Sequence, residues 1–109
     1  MSKNILIING HPDPSPERFC HALAEAYSTG AKNAGHNVTR LDIASIDFPW
    51  LRTAHDFKEG PVPPSIKVAQ DAIKTAHHIV IIYPLWLGTM PALLKAFFGT
   101  VHSARLRIF

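Results

Sequence analysis

The sequence predicts an α/β fold: a parallel sheet of three strands in the order 2-1-3, with helices on both faces. Three observations point to it. The apolar runs at residues 5–8 and 79–82 are continuous rather than alternating, as expected of parallel strands covered on both sides. Between and after these runs, apolar residues recur at the three- and four-residue spacing of helices. The resulting order of strand, helix, strand, helix, strand, helix requires right-handed crossovers. In a doubly wound sheet of this kind strand 1 is central, and ligands bind outside the carboxyl ends of the strands.

Strand 1 is read over residues 5–8. After a proline-rich turn through Pro16, the residues Phe19, Leu23, Ala26 and Gly30 share one helical face, and Glu17 in the first turn complements the helix dipole. Gly35 suits the end of this helix. Residues 37–42, Asn-Val-Thr-Arg-Leu-Asp, form a second strand whose weak apolar content fits a sheet edge. From Ile43 to Pro64 the chain carries four prolines and no lasting period, so it reads as a long connection. A second helix follows, with Ser65 as its cap, Ile66, Ala69, Ile73 and Ala76 on its apolar face, and Lys67, Gln70, Asp71 and Lys74 facing out. Strand 3 spans residues 78–83. Pro91 suits the first turn of a third helix, whose apolar residues Leu93, Leu94, Phe97 and Phe98 are broken by Gly99.

A chain of 109 residues with 47% apolar content holds one core, so residues 1–109 are read as a single domain. The net charge of +3 comes without any run of five like charges, so no nucleic-acid surface is expected. The apolar run at residues 5–8 is too short for a signal sequence or a membrane span, and a cytoplasmic location is expected. A lone Cys20 excludes an internal disulfide and a cysteine-rich zinc site, and reads as a small packing residue on a helix. His77 and His78 are adjacent and would point to opposite faces of a strand, so they do not chelate one ion together, and no metal is expected. Neither His55 with Asp56 nor His11 with Asp13 and Ser15 makes a triad on sequence proximity alone. No catalytic residue is assigned.

Two strand-to-helix junctions carry the candidate chemistry. In the loop 10–18, backbone amides converge on a helix N-terminus, which favours an anion such as a phosphate. Ser15 adds a hydroxyl, and Arg18 or His11 adds charge or stacking. Pro12, Pro14 and Pro16 stiffen the turn but remove three donors, so an ordinary proline-rich turn is an equal alternative reading. No Walker motif and no Gly-x-Gly-x-x-Gly occurs. The loop 84–90 offers Trp86 and Leu87 as surface for a flat ring and Gly88 for close backbone approach. Taken alone, Trp86 reads more simply as a cover for the end of the core.

Together, residues 5–12 (Ile-Leu-Ile-Ile-Asn-Gly-His-Pro) with the helix from Glu17, and residues 83–95 (Tyr-Pro-Leu-Trp-Leu-Gly-Thr-Met-Pro-Ala-Leu-Leu-Lys), make the chain resemble the flavodoxin-like NAD(P)H:quinone oxidoreductase family, which includes the modulator of drug activity B proteins. The likeness covers residues 3 to about 98. It implies a flavodoxin-like three-layer fold and a bound FMN or FAD. The flavin phosphate would lie on His11, Ser15, Arg18, Phe19 and Cys20, and the isoalloxazine ring against Pro84, Leu85, Trp86 and Leu87. It also implies hydride transfer from NAD(P)H through the flavin to a quinone-like acceptor, in a homodimer.

Two departures from the family pattern are visible. Trp86 lies two residues after Pro84, where many relatives place a tryptophan three residues after the loop proline. Relatives also continue with strands 4 and 5, whereas residues 99–109 form an atypical tail, so the resemblance implies a truncated domain with strand 3 left as an open edge. Two further functional readings therefore stand beside the oxidoreductase: an inactive fragment or partner-dependent module without flavin turnover, and a flavodoxin-like electron carrier.

Overall fold

The computed structural model describes residues 2–48, 53 and 62–101. Three strands, β1 (Asn4–Asn9), β2 (Asn37–Asp42) and β3 (His78–Ile82), form a parallel sheet in the order β2-β1-β3. Helices α1 (Phe19–Asn33), α2 (Pro64–Thr75) and α3 (Ala92–Val101) alternate with them, and a short 3₁₀ turn, Ile43–Ser45, follows β2. This is the architecture and strand order expected from the sequence. The register sets Ile5 opposite Val38 and His78, and Asn9 opposite Asp42 and Ile82.

β1 is central, and alternate side chains leave it on opposite faces. Ile5 and Ile7 pack with Ala24 and Ala31 of α1. Leu6 and Ile8 join Leu41, Ile43, Ile66, Ala69, Leu94, Phe97 and Val101 on the other face, under α2 and α3. Because both faces are covered, residues 5–9 are all buried, and this is why the run is apolar without alternation. β2 is half-buried and polar at the edge, as expected. No helix among the described residues is long and apolar enough to cross a membrane.

Several sequence expectations need correction. The buried face of α1 is Cys20, Ala24, Ser28 and Ala31, whereas Phe19, Leu23, Ala26 and Gly30 are exposed. A stripe of small side chains lets the helix lie close on the sheet at interior packing density, leaving no room beneath it for Phe19 or Leu23. The helix begins at Phe19, so Glu17 precedes it and its first turn carries no acid. Gly35 does take the left-handed conformation just beyond the helix end, at φ 87°, and its amide donates to the Lys32 carbonyl. In α2 the residue before the helix is Pro63; Ser65 lies inside, its hydroxyl donating to the Asp47 carbonyl at 2.8 Å. Gln70 turns inward instead of out and donates to the Val101 carbonyl, joining α2 to α3. α3 runs through Gly99 to Val101, since burial of Phe97, Thr100 and Val101 outweighs the roughly 1 kcal/mol propensity cost of one glycine. Most of the long connection, and the tail from residue 102, lie outside the described residues.

Candidate functional site

The loop after β1 is built by a strict alternation. The amides of His11, Asp13, Ser15 and Glu17 donate to the side chains two residues earlier: Asn9 Oδ1 (3.2 Å), His11 Nδ1 (3.0 Å), Asp13 Oδ1 (2.9 Å) and Ser15 Oγ (3.4 Å). The intervening residues are Pro12, Pro14 and Pro16, which have no amide to satisfy. The prolines therefore sit where a donor would be idle, and the loop closes on itself through side-chain turns. Among the described residues no acceptor is recorded for the amides of Phe19 and Cys20, the first two of α1. These orphan donors at a helix N-terminus, with the Ser15 hydroxyl proton, are the groups that could meet an anion.

Arg18 borders this set, but its charge is engaged: its Nε and Nη2 meet Asp13 Oδ2 at 2.9 and 2.8 Å. The Ser15 amide, and after it the Arg18 guanidinium, hold the Asp13 carboxyl below its ordinary value of 3.8. The Cys20 side chain faces inward, and burial pushes its thiol pKa up, so only its backbone can contribute to the site.

Asn9, which the sequence reading did not single out, is the hub of the loop. It is buried, and its amide nitrogen donates to His21 Nδ1 and to Asp42 Oδ1, both at 3.0 Å. His21 in turn contacts the Asp13 carbonyl through Nε2 at 3.1 Å. With Nδ1 accepting, Nε2 must carry the hydrogen and donate. One side chain thus ties the end of β1 to the end of β2, to α1 and to the loop. The legible signal was its position: a polar residue closing the buried run of a central strand, where ligand-binding crevices open.

The second loop follows β3. Trp86 and Thr89 exchange backbone hydrogen bonds at 2.9 and 3.1 Å, closing a two-residue turn in which Leu87 and Gly88 both have positive φ, 52° and 76°. This is the type I′ geometry, which glycine adopts freely and leucine at a cost. Leu85 and Leu87 project into solvent, Trp86 is half exposed and Pro84 half-buried. On one side of the loop, Trp86, Leu87, Met90, Pro91, Ala92 and Lys95 line an open cleft of about 580 Å³.

The two loops meet. The Gly10 amide donates to the Ile82 carbonyl at 2.7 Å, and the His11 ring stands edge-on to Trp86 with centroids 5.6 Å apart. Gly10 also lets α3 pack closely on this loop, because a Cβ there would lie 2.6 Å from Leu94 Cδ2. The candidate residues His11, Ser15, Arg18, Phe19 and Cys20 and the candidates Pro84, Leu85, Trp86 and Leu87 are therefore carried by adjoining loops at one rim of the sheet.

This sheet order, with adjoining loops at the carboxyl ends of β1 and β3, defines the flavodoxin-like class of α/β proteins. The chain belongs to that family, whose model of the flavodoxin-like fold matches residues 3–108, past the point near residue 98 where the resemblance was expected to fade. It is 31% identical over 103 residues to an uncharacterized NAD(P)H oxidoreductase of Haemophilus influenzae, covering 92% of this chain and 50% of that protein. Among solved structures it resembles the NAD(P)H:quinone oxidoreductase of Methanothermobacter marburgensis, with a TM-score of 0.78 and 26% identity over 95% of this chain and 55% of that one. An azoreductase of Bacillus anthracis shares the fold at 23% identity and a TM-score of 0.69, covering 95% and 57%. The chain spans about half the length of the curated relatives it matches.

Proposed function

We propose that this chain forms the flavin-seating half of an NAD(P)H-dependent oxidoreductase that passes hydride to a quinone-like acceptor. The observation that carries the reading is the contact of the two loops, His11 against Trp86, which makes one continuous rim from an anion-binding helix end to an aromatic turn. The donor set fits a flavin phosphate: the amides of Phe19 and Cys20 and the Ser15 hydroxyl can wrap a phosphate oxygen, while Asp13 balances Arg18 and leaves recognition to the backbone. The turn 86–89 offers open amides and an exposed Trp86 beside which a flat ring can lie, with Pro84, Leu85 and Leu87 as neighbours. Bound there, FMN or FAD would supply two-electron chemistry between NAD(P)H and the acceptor. The chain's own part is to hold the phosphate, fix the ring edge and shape the approach. A homodimer with the site near the interface belongs to the same reading.

The test is a titration of purified chain with FMN and FAD, followed by quenching of flavin fluorescence. We expect saturable binding that weakens by about tenfold, or ~1.4 kcal/mol, in Ser15→Ala and in Gly88→Val, the latter because valine is strained at φ 76°. Flavin affinity that neither substitution changes would remove the assigned site, and a chain that binds neither FMN nor FAD would remove the reading.

A further inference from the structure

The four side chains that close the loop after β1 accept amide protons in the same way, but one of them is chemically unlike the rest. Asn9 Oδ1, His11 Nδ1, Asp13 Oδ1 and Ser15 Oγ each receive the amide two residues on. A carboxamide and a hydroxyl keep their acceptor lone pairs across the neutral and mildly acid range. Asp13 keeps its own as well: the Ser15 amide, and after it Arg18, lower its carboxyl pKa from 3.8, so it stays ionised there. Imidazole does not, because it gains a proton between about pH 8 and about pH 5. Of the four links, His11 is the one that mild acid can remove.

The place of the proton on His11 follows from its partner. A backbone amide can only donate, so Nδ1, 3.0 Å from the Asp13 nitrogen, carries a lone pair and the ring hydrogen sits on Nε2. In the imidazolium both nitrogens carry hydrogen, and two N–H groups would point at each other across that distance. The bond cannot survive protonation unless ring or peptide turns away. Such a turn reaches the second loop, since the same ring stands edge-on to Trp86 with centroids 5.6 Å apart. Few charges surround the ring. The Asp13 carboxylate attracts its cation but is already held by Arg18 at 2.8 Å. From α1 comes the His21 ring, with centroids 6.4 Å apart, and from β2 Asp42, paired with Arg40, reaches the loop through Asn9. The loop after β3 presents the uncharged Trp86, and α3 brings Leu94 against Gly10 and Lys95 to the cleft beside Trp86.

We propose that His11 is a proton-operated latch between the two loops. Neutral, it closes the turn 11–13 and holds the loop after β1 against Trp86; protonated, it gives up the Asp13 amide and leaves Trp86, so the rim of the sheet loosens as pH falls through the imidazole range. The device belongs to the loops themselves and does not rest on the flavin reading. His21 also accepts through Nδ1, but from the Asn9 side chain, and its Nε2 meets the Asp13 carbonyl rather than the Asp13 amide. His36 and His77 take the amides of Lys3 and Asn4 at 3.1 and 2.9 Å, at the opposite end of β1. A bulk measurement would mix these rings, so the readout must be local to residue 13.

The experiment follows the isotope-labelled chain by NMR, with no flavin added, from about pH 7.5 to about pH 5. At the upper pH a nitrogen–nitrogen coupling across the hydrogen bond from the Asp13 amide to His11 Nδ1 is expected, together with a nuclear Overhauser contact between the His11 and Trp86 rings. Both should be lost as Nδ1 gains its proton, and the Asp13 amide resonance should shift in step with the titrating ring. In His11→Asn the Asp13 amide should hold still over the same range, because a carboxamide oxygen accepts the same amide two residues on and does not titrate. A coupling absent at the upper pH, or one that persists after the ring is protonated, would overturn the proposal. So would an Asp13 amide that titrates alike in His11→Asn, since another group would then carry the response. If His11→Asn does not fold, the coupling in the parent chain still decides.

Discussion

At the scale of single residues the candidate site is a problem in hydrogen-bond supply. Asn9 is buried with three side-chain bonds, so removing it leaves His21 Nδ1 and the His11 amide without their partner, while Asp42 keeps its ion pair with Arg40. Asn9→Ala should therefore cost about 1–3 kcal/mol in urea denaturation, the penalty for leaving buried polar partners unmade; a loss within a few tenths of a kcal/mol would show that the hub is replaceable by water. Asp13 gives a pH prediction whose sign is fixed by its lowered pKa. The folded carboxyl titrates below its ordinary 3.8, so its contribution to loop order is complete above 3.8 and fades as pH falls through the lower, folded value. Its carboxyl carbon shift, followed by NMR, should show a midpoint under 3.8. In Arg18→Ala the midpoint should rise without reaching 3.8, because the Ser15 amide is the larger cause. A full return to 3.8 would make the ion pair the dominant partner.

At the scale of elements, the turn 86–89 holds the clearest strain. Leu87 keeps φ at 52° while wholly solvent-exposed, so no packing in the described structure explains a leucine there. Leu87→Asn places a residue suited to the first central position of a type I′ turn and should stabilise the fold by roughly 0.5–1 kcal/mol. Thermal melting of the two chains checks this, and an unchanged or lower melting point would mean that the turn relaxes in solution. The same element scale shows how far sequence reasoning reaches. The strands were legible because β1 is covered on both faces, so its apolar run is unbroken, and because β2 is polar enough to declare itself an edge. The face of α1 was not legible, since periodicity counts large apolar residues, and Phe19, Leu23 and Tyr27 form a helical stripe as regular as the small one that is buried. The two glycine-bearing loops were found from their position between strand and helix, but their internal bonding was hidden. Only coordinates reveal that the donors between Pro12, Pro14 and Pro16 are already spent on Asn9, His11, Asp13 and Ser15.

At the scale of the whole molecule, the core is lopsided, and stability should follow it. The face under α2 and α3 gathers Leu6, Ile8, Leu41, Ile43, Ile66, Leu94, Phe97 and Val101, whereas the face under α1 relies on Ile5, Ile7, Ala24 and Ala31. Phe97 is fully buried, with Phe48 and Phe98 rings at 6.0 and 5.8 Å, so it fills the centre of the larger cluster. Truncating such a ring to alanine costs about 3–5 kcal/mol. Single domains hold only about 5–15 kcal/mol in total, so a loss of that size is a large fraction of the whole. Phe97→Ala is therefore expected to lower the unfolding free energy by about 3–5 kcal/mol in urea denaturation followed by circular dichroism, while Leu23→Ala, on the exposed α1 strip, should change it by no more than about 0.5 kcal/mol. A Phe97→Ala chain that unfolds over the same urea range as the parent would place the molecule's stability elsewhere than in this cluster.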